Sequence, residues 1–288
     1  MPLESAGGYR NACVTAHVDV WWLYCALFEK TAMMSRVPII AGYTVLEAFR
    51  TRLLQVTAVV VVLVVAVSYF VHEVALIENA RMQTLTYAAI ARVAAVFITA
   101  LYVIASVARE FDDKGLDAML ALDIPRWQYI AGKYAGLVLL AAPIALLCAL
   151  PLLACAAPVT VLAWLASLML ELCIIAALAL FCVVTFSHLV PAMAFVTGFY
   201  VLCRAITGLR LIGEHPTAGA ESPVHQLLSG ALALVSLLIP PFDQWTRTAW
   251  LVGSPPSWGD FASIGAETVI YVALLLSAAL IDFYRKSL

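Results

Sequence analysis

A chain of 288 residues that is 64% apolar and only 12% charged departs from soluble averages of about 45 to 50% apolar and about 25% charged, and cannot build a water-facing surface. A mean hydropathy of +0.99 excludes a secreted mini-domain, a disordered tail and a nucleic-acid binder. The net charge of −2 provides no global basic field for phosphate, so any charge logic is local.

Residues 1–36 read as an N-terminal extension. The short apolar run Val18 to Phe28 is interrupted by Asp19 and lacks the positive start and small-residue cleavage site of a signal peptide. Met33-Met34 precedes a segment that reads as a proper beginning, so the first 32 residues suit either an upstream-start extension or an interfacial anchor. From Val37 to Leu54 the pattern turns amphipathic. Ile39, Tyr43, Leu46, Phe49 and Leu53 recur at helical spacing, with Thr44, Glu47 and Thr51 on another face. Pro38 suits a first helical turn. This predicts a helix along the membrane interface that bends at Arg50-Thr51-Arg52 into the first span, although a simple extension of that span fits as well.

A bilayer core about 30 Å thick needs about 20 apolar residues. Six stretches qualify: Leu53 to Val74, Leu85 to Ala108, Tyr134 to Ala156, Val161 to Phe186, Val190 to Leu209, and Ala262 to Phe283. A seventh, Leu227 to Pro241, is too short and ends in Pro240-Pro241, which predicts an outer re-entrant hairpin before span six. The expected fold is therefore an all-α membrane protein, with residues 37–288 forming one six-span domain. Pro143, Pro151 and Pro191 are expected to kink spans three and five. Ala131, Gly132, Ala135 and Gly136 permit close helix approach at the start of span three.

Orientation follows from lysine and arginine. With both termini on one side, that side collects eleven of the sixteen basic residues, including Arg36, Arg50, Arg52, Arg109, Lys114, Arg126, Lys133, Arg285 and Lys286. The opposite side holds Arg81, Arg210 and Arg247. Both termini and the segment Arg109 to Lys133 are thus expected in the cytoplasm. The seven cysteines form no CxxC pair and the five histidines no ligand-spaced motif, so reduced core thiols and no bound metal or cofactor are expected.

Between spans two and three lies the most charge-dense stretch, Arg109 to Tyr129. Leu116, Met119 and Leu120 give a short helix an apolar ridge within an acidic rim, Gly115 permits a tight entry, and Pro125 stops the helix near Asp123. Such an element suits docking of a soluble partner, and equally an ordinary solvated loop.

Glu110, Lys114-Gly115, the leucine-rich turn, Pro125-Arg126 and Gly132-Lys133 resemble the signature of type-2 ABC exporter permeases, approximately E-x-x-x-G-T-x-E-x-L-L-x-x-P-x-x-R-x-x-x-x-x-K. Leu116 stands where that family usually has threonine or serine, and Pro125 falls one or two positions later than usual. Leu238-Ile239-Pro240-Pro241-Phe242-Asp243 is similar to the L-N-P-x-D stretch of the multicopper enzyme and nitrous oxide reductase maturation branch. The resemblance covers roughly Val37 to the C-terminus. It implies an ABC transporter permease of the bacterial inner membrane, not itself an enzyme, that pairs with a second copy of itself and with two ATPase subunits. A periplasmic accessory protein is compatible with it; nucleic acid is not a partner, and membrane lipids surround the spans. The chain has no GxxxxGK(S/T) loop, so ATP-Mg is expected on the partner subunit. The resemblance makes Glu110, Lys114, Gly115, Leu116, Met119, Leu120, Pro125 and Arg126 the ATPase contact, on a coupling helix.

Arg92, Glu171, Arg204 and Glu267 fall inside spans, where charge is costly unless paired or wetted. Counted from the outer ends, Arg92 and Glu171 lie roughly 12 to 15 Å deep and Arg204 and Glu267 roughly 8 Å, which predicts the pairs Arg92–Glu171 and Arg204–Glu267. They serve either as glue between helices or as a polar lining of a substrate path. Two other classes remain as alternatives: a secondary transporter or channel gated by Arg92 and Glu171, and an intramembrane enzyme using Glu171 or His188. The first would predict internal repeats, which are not evident, and the second lacks HExxH, GxSxG or paired aspartates.

Overall fold

A computed structural model describes residues 36–74, 79–112, 125–186, 188–214, 240, 242, 251 and 258–285. The described residues are almost wholly helical and include no strand. In chain order the helices are α1 (Arg36–Arg50), α2 (Leu53–Val74), α3 (Asn79–Asp112), α4 (Arg126–Ala149), α5 (Pro158–Phe186), α6 (Leu189–Glu214) and α7 (Trp258–Arg285), with a 3-10 turn at Leu150–Ala154 closing α4. Six of them, α2 to α7, are long and apolar enough to cross a bilayer. Helix is the form that lets such segments satisfy every backbone group internally where no water is at hand.

α5 occupies the centre. It is apolar on all sides, and the run Ile174 to Leu180 is buried without interruption, as expected of a helix enclosed by others. α3, α4, α6 and α7 all pack on it. α2 is peripheral: Leu53, Thr57, Val64 and Ser68 form its one buried stripe, and Val56, Val59, Val62 and Phe70 face outward. The 34 residues of α3 span about 51 Å at 1.5 Å per residue, longer than a hydrocarbon layer of about 30 Å requires.

α1 packs chiefly on α4. Its buried face is small and polar, with Ala41, Thr44 and Ala48, whereas Ile39, Tyr43, Leu46 and Phe49 are more than half exposed. Small residues on α4 make the contact close. A Cβ on Gly132 would stand 2.9 Å from the Cβ of Ile40, and one on Gly136 would stand 2.8 Å from the carbonyl oxygen of Ala41. α1 turns into α2 through Arg52, whose φ of 58° is left-handed. Thr51 donates its hydroxyl to the carbonyl of Ala48 at 3.0 Å and so closes the end of α1.

Three boundaries differ from the sequence reading. α4 begins at Arg126, eight residues before the apolar run, because Pro125 in extended conformation (φ −64°, ψ 136°) supplies a ready helix start. Lys133 therefore lies within a helix and not in a connecting loop. Pro151 falls where α4 tightens to its 3-10 turn, and its missing N–H is what the α pattern cannot replace. Pro191 sits in the first turn of α6, where a missing N–H costs nothing, so it starts that span without kinking it. Residues 1–35 of the N-terminal extension, the predicted helix Leu116 to Leu122 and nearly all of the predicted re-entrant hairpin lie outside the described residues, while Arg36, counted with the extension, opens α1.

Candidate functional site

Two polar clusters stand out in this apolar bundle. The first lies at the α1 end, where α3 leads into residues 113–124 and α4 leads out of them. Lys133, two turns into α4, is only 1% exposed. A buried ammonium needs partners. Its Nζ pairs with Glu110 of α3, lies 3.5 Å from Glu47 of α1, and donates to the Ser106 hydroxyl at 3.2 Å. Ser106 in turn donates to the Glu47 carboxylate, 3.0 Å from each oxygen. Tyr129 donates its hydroxyl to Glu110 and stacks on Phe283 of α7, ring centres 5.9 Å apart. Arg109 adds a second positive charge 3.7 Å from Glu47. Two carboxylates, a lysine, an arginine and two hydroxyls thus bind α1, α3 and α4 into one unit.

Arg126 anchors the same end differently. Its Nη1 donates to the carbonyl of Phe283 at 2.7 Å, and the guanidinium lies 5.5 Å from the Phe283 ring centre. A cation on the terminal carbonyls of a helix offsets the negative end of its dipole. Beside it, Thr185 of α5 donates to Asp282 of α7 at 2.5 Å.

Of the residues expected to contact an ATPase, Glu110 turns its carboxylate inward and Arg126 reaches α7, while Pro125 is half-buried at the start of α4. Lys114, Gly115, Leu116, Met119 and Leu120 lie outside the described residues. The sequence reading missed Lys133, Glu47, Ser106 and Tyr129 as members of this cluster. A lysine directly followed by a long apolar run was the available signal, because such a lysine must find a counter-charge.

The second cluster lies inside the membrane part. Arg92 of α3 and Glu171 of α5 form a fully buried ion pair, Nη1 to Oε2 at 2.8 Å. Ser167 accepts from the other Nη at 3.0 Å, and the guanidinium lies 5.0 Å from the centre of the Trp164 ring. The expected pair Arg92–Glu171 is thus brought together. The expected pair Arg204–Glu267 is not. Arg204 of α6 stands 3.7 Å from Glu171 and donates from Nε to the Tyr200 hydroxyl at 3.2 Å, while Glu267 is exposed on α7. The reason is azimuth: α6 packs on α5 and α3, whereas α7 packs on α5 and α4, so equal depth does not make Arg204 and Glu267 neighbours. Pro240 and Phe242 are buried, and Phe242 sits against Tyr200 with ring centres 6.2 Å apart.

Six apolar helices bundled in this way define a multi-pass α-helical membrane protein. No protein-family model matches the chain, and no curated protein matches it.

Proposed function

We propose that the chain is the permease subunit of an ATP-driven ABC exporter, working as two copies with two ATPase subunits in a bacterial cytoplasmic membrane. α1 would be the interfacial elbow and Arg109 to Tyr129 the coupling segment; residues 227–241 would form the outer hairpin. The observation that carries this reading is the Glu110–Lys133–Glu47 cluster. It ties the helix entering residues 113–124, the helix leaving them and α1 into one body, so a push on that segment is delivered to three helices together. Arg109 near Glu47 and Arg126 at the end of α7 place basic residues at this same end of the bundle, which suits a cytoplasmic face.

Hydrolysis would occur on the partner, which binds ATP-Mg, while this chain converts closure of the partner into movement of its spans. To test the reading, Met119 and Leu120 are replaced by aspartate and the chain is co-purified with the ABC ATPase encoded nearest to it. Loss of association is expected; association at the wild-type level overturns the proposal. The membrane-buried Arg92–Glu171–Arg204 cluster favours a second reading, an ion-coupled secondary transporter. Proteoliposomes decide between them: substrate movement on an ion gradient without ATP would support the second.

A further inference from the structure

At the end of the bundle remote from α1, a cavity of about 240 Å³ opens between the end of α2 and the 3-10 turn that finishes α4, with α3 as its floor. The space is a crevice open on one side, and its volume is several times the roughly 30 Å³ that one water molecule takes up in the liquid, so it can admit a narrow ligand group. Its chemistry narrows the occupant. Four hydroxyls border it, and three have already given their hydrogen to a carbonyl of the bundle: Ser68 to Gln83 at 3.0 Å, Thr84 to Ala80 at 2.9 Å and Tyr87 to Cys148 at 2.9 Å, while the fourth, that of Tyr69, belongs to an exposed residue at the rim. What remains facing the space is mostly carbon, from Val65, Leu152 and the tyrosine rings, with the Gln83 amide as the polar side chain deeper in the lining. A polar guest would shed its water here for few partners in return.

The mouth is equally informative. Tyr69, Ala154 and Cys155 at its rim are exposed. They continue the outward apolar surface of Phe70 on α2 and of Leu150 and Leu153 on the 3-10 turn. In a membrane protein that surface meets acyl chains. Tyr69 stands five residues before the end of α2, about 8 Å along its axis, and so within the membrane-spanning stretch Leu53–Val74.

We propose that this crevice is a lipid site that seats one acyl chain of a membrane phospholipid, with the head group toward the C-terminal end of α2. The site is separate from the polar cluster at the α1 end and does not rest on the transport reading. To test it, the full chain is placed in nanodiscs of phosphatidylcholine carrying a diazirine in its acyl chain, irradiated, and its adducts mapped by mass spectrometry. Adducts on Val65–Tyr69 and Leu152–Cys155 are expected to exceed, several-fold, those on the outward face of α7 at Val269, Ile270 and Leu274, which samples bulk lipid. Ala154→Phe, which fills the mouth, should remove that excess and leave α7 labelling unchanged. If Ala154→Phe does not yield monodisperse protein, Val65→Phe fills the same space from α2. Equal labelling of the two surfaces, or an excess that survives the filling substitution, overturns the proposal.

Discussion

Gly136 of α4 lies so close to α1 that a Cβ there would stand 2.7 Å from the Cβ of Thr44 and 3.1 Å from the Cα of Ala41. Backbone cannot step aside as a side-chain tip can, so Gly136→Ala should push α1 off α4. Overpacking costs about 1 to 3 kcal/mol, and contact with backbone places this substitution near the top of that range. Gly132→Ala meets mainly the side chain of Ile40 and should cost less. Gly198 and Gly265 face open space, so alanine there should be neutral or stabilising by up to about 1 kcal/mol through helix propensity. Thermal unfolding of the four variants in one detergent orders them.

Lys133 gathers the charges of three helices, and Lys133→Met should therefore leave Glu110 without a cation and Glu47 with only the exposed Arg109 at 3.7 Å. Removing one member of a buried ion pair costs about 3 to 5 kcal/mol; the two carboxylates are each about one-fifth exposed, which lowers the expectation to about 2 to 3 kcal/mol. Adding Glu110→Gln to Lys133→Met should restore part of the stability, because the remaining repulsion is relieved. If the proposed coupling role holds, the restored double variant still fails to stimulate ATP hydrolysis, which separates transmission from folding. A double variant with normal stimulation would leave the cluster a structural role alone.

The six spans found among the described residues were legible because runs of about 20 apolar residues suit a bilayer crossing, and a close helix approach at the start of α4 was legible because Gly132 and Gly136 lie one helical turn apart, although nothing in the pattern named α1 as the helix that approaches. What escaped was whatever depends on rotation about the bundle axis. Depth along a helix can be counted, and it correctly joined Arg92 to Glu171. The same count joined Arg204 to Glu267, since nothing in either span says that α5 is the common neighbour and that α6 and α7 pack on different flanks of the bundle. The start of α4 escaped for a different reason. Arg126 and Lys133 resemble a loop by composition, and their partners on α7, α3 and α1 hold them in the first turns of a helix.

Arg126 closes the end of α7 from a neighbouring helix, and Arg126→Ala should free the last turn of α7. Loss of a charge-assisted bond to a helix terminus costs about 1 to 2 kcal/mol, and Arg126→Lys should recover less than half of it because an ammonium cannot both bond the Phe283 carbonyl and lie flat on its ring. Hydrogen exchange of the α7 amides near Phe283 and Tyr284 reports the effect locally, and exchange unchanged from wild type would show that the contact contributes nothing.

Arg92 and Glu171 supply the sharpest energetic test, because each is wholly enclosed and compensated mainly by the other. Arg92→Leu leaves a carboxylate in the core with only the looser Arg204 contact at 3.7 Å, and Glu171→Leu leaves two guanidinium groups facing one another. Either substitution should cost about 3 to 5 kcal/mol. Replacing both by leucine removes the two enclosed charges together and should be milder than either alone, since two apolar side chains suit the surrounding helices and Arg204, partly exposed, keeps its bond to Tyr200. Arg204→Gln should cost less than Arg92→Gln, as Arg204 is 24% exposed and its distance to Glu171 exceeds that of a hydrogen bond. A double-mutant cycle between Arg204 and Glu267 should show coupling within about 0.3 kcal/mol of zero, the additivity expected of residues that share no contact. Coupling above about 1 kcal/mol in that cycle, or a double leucine variant no better than its parents, would contradict the arrangement of α3, α5 and α6 around Glu171.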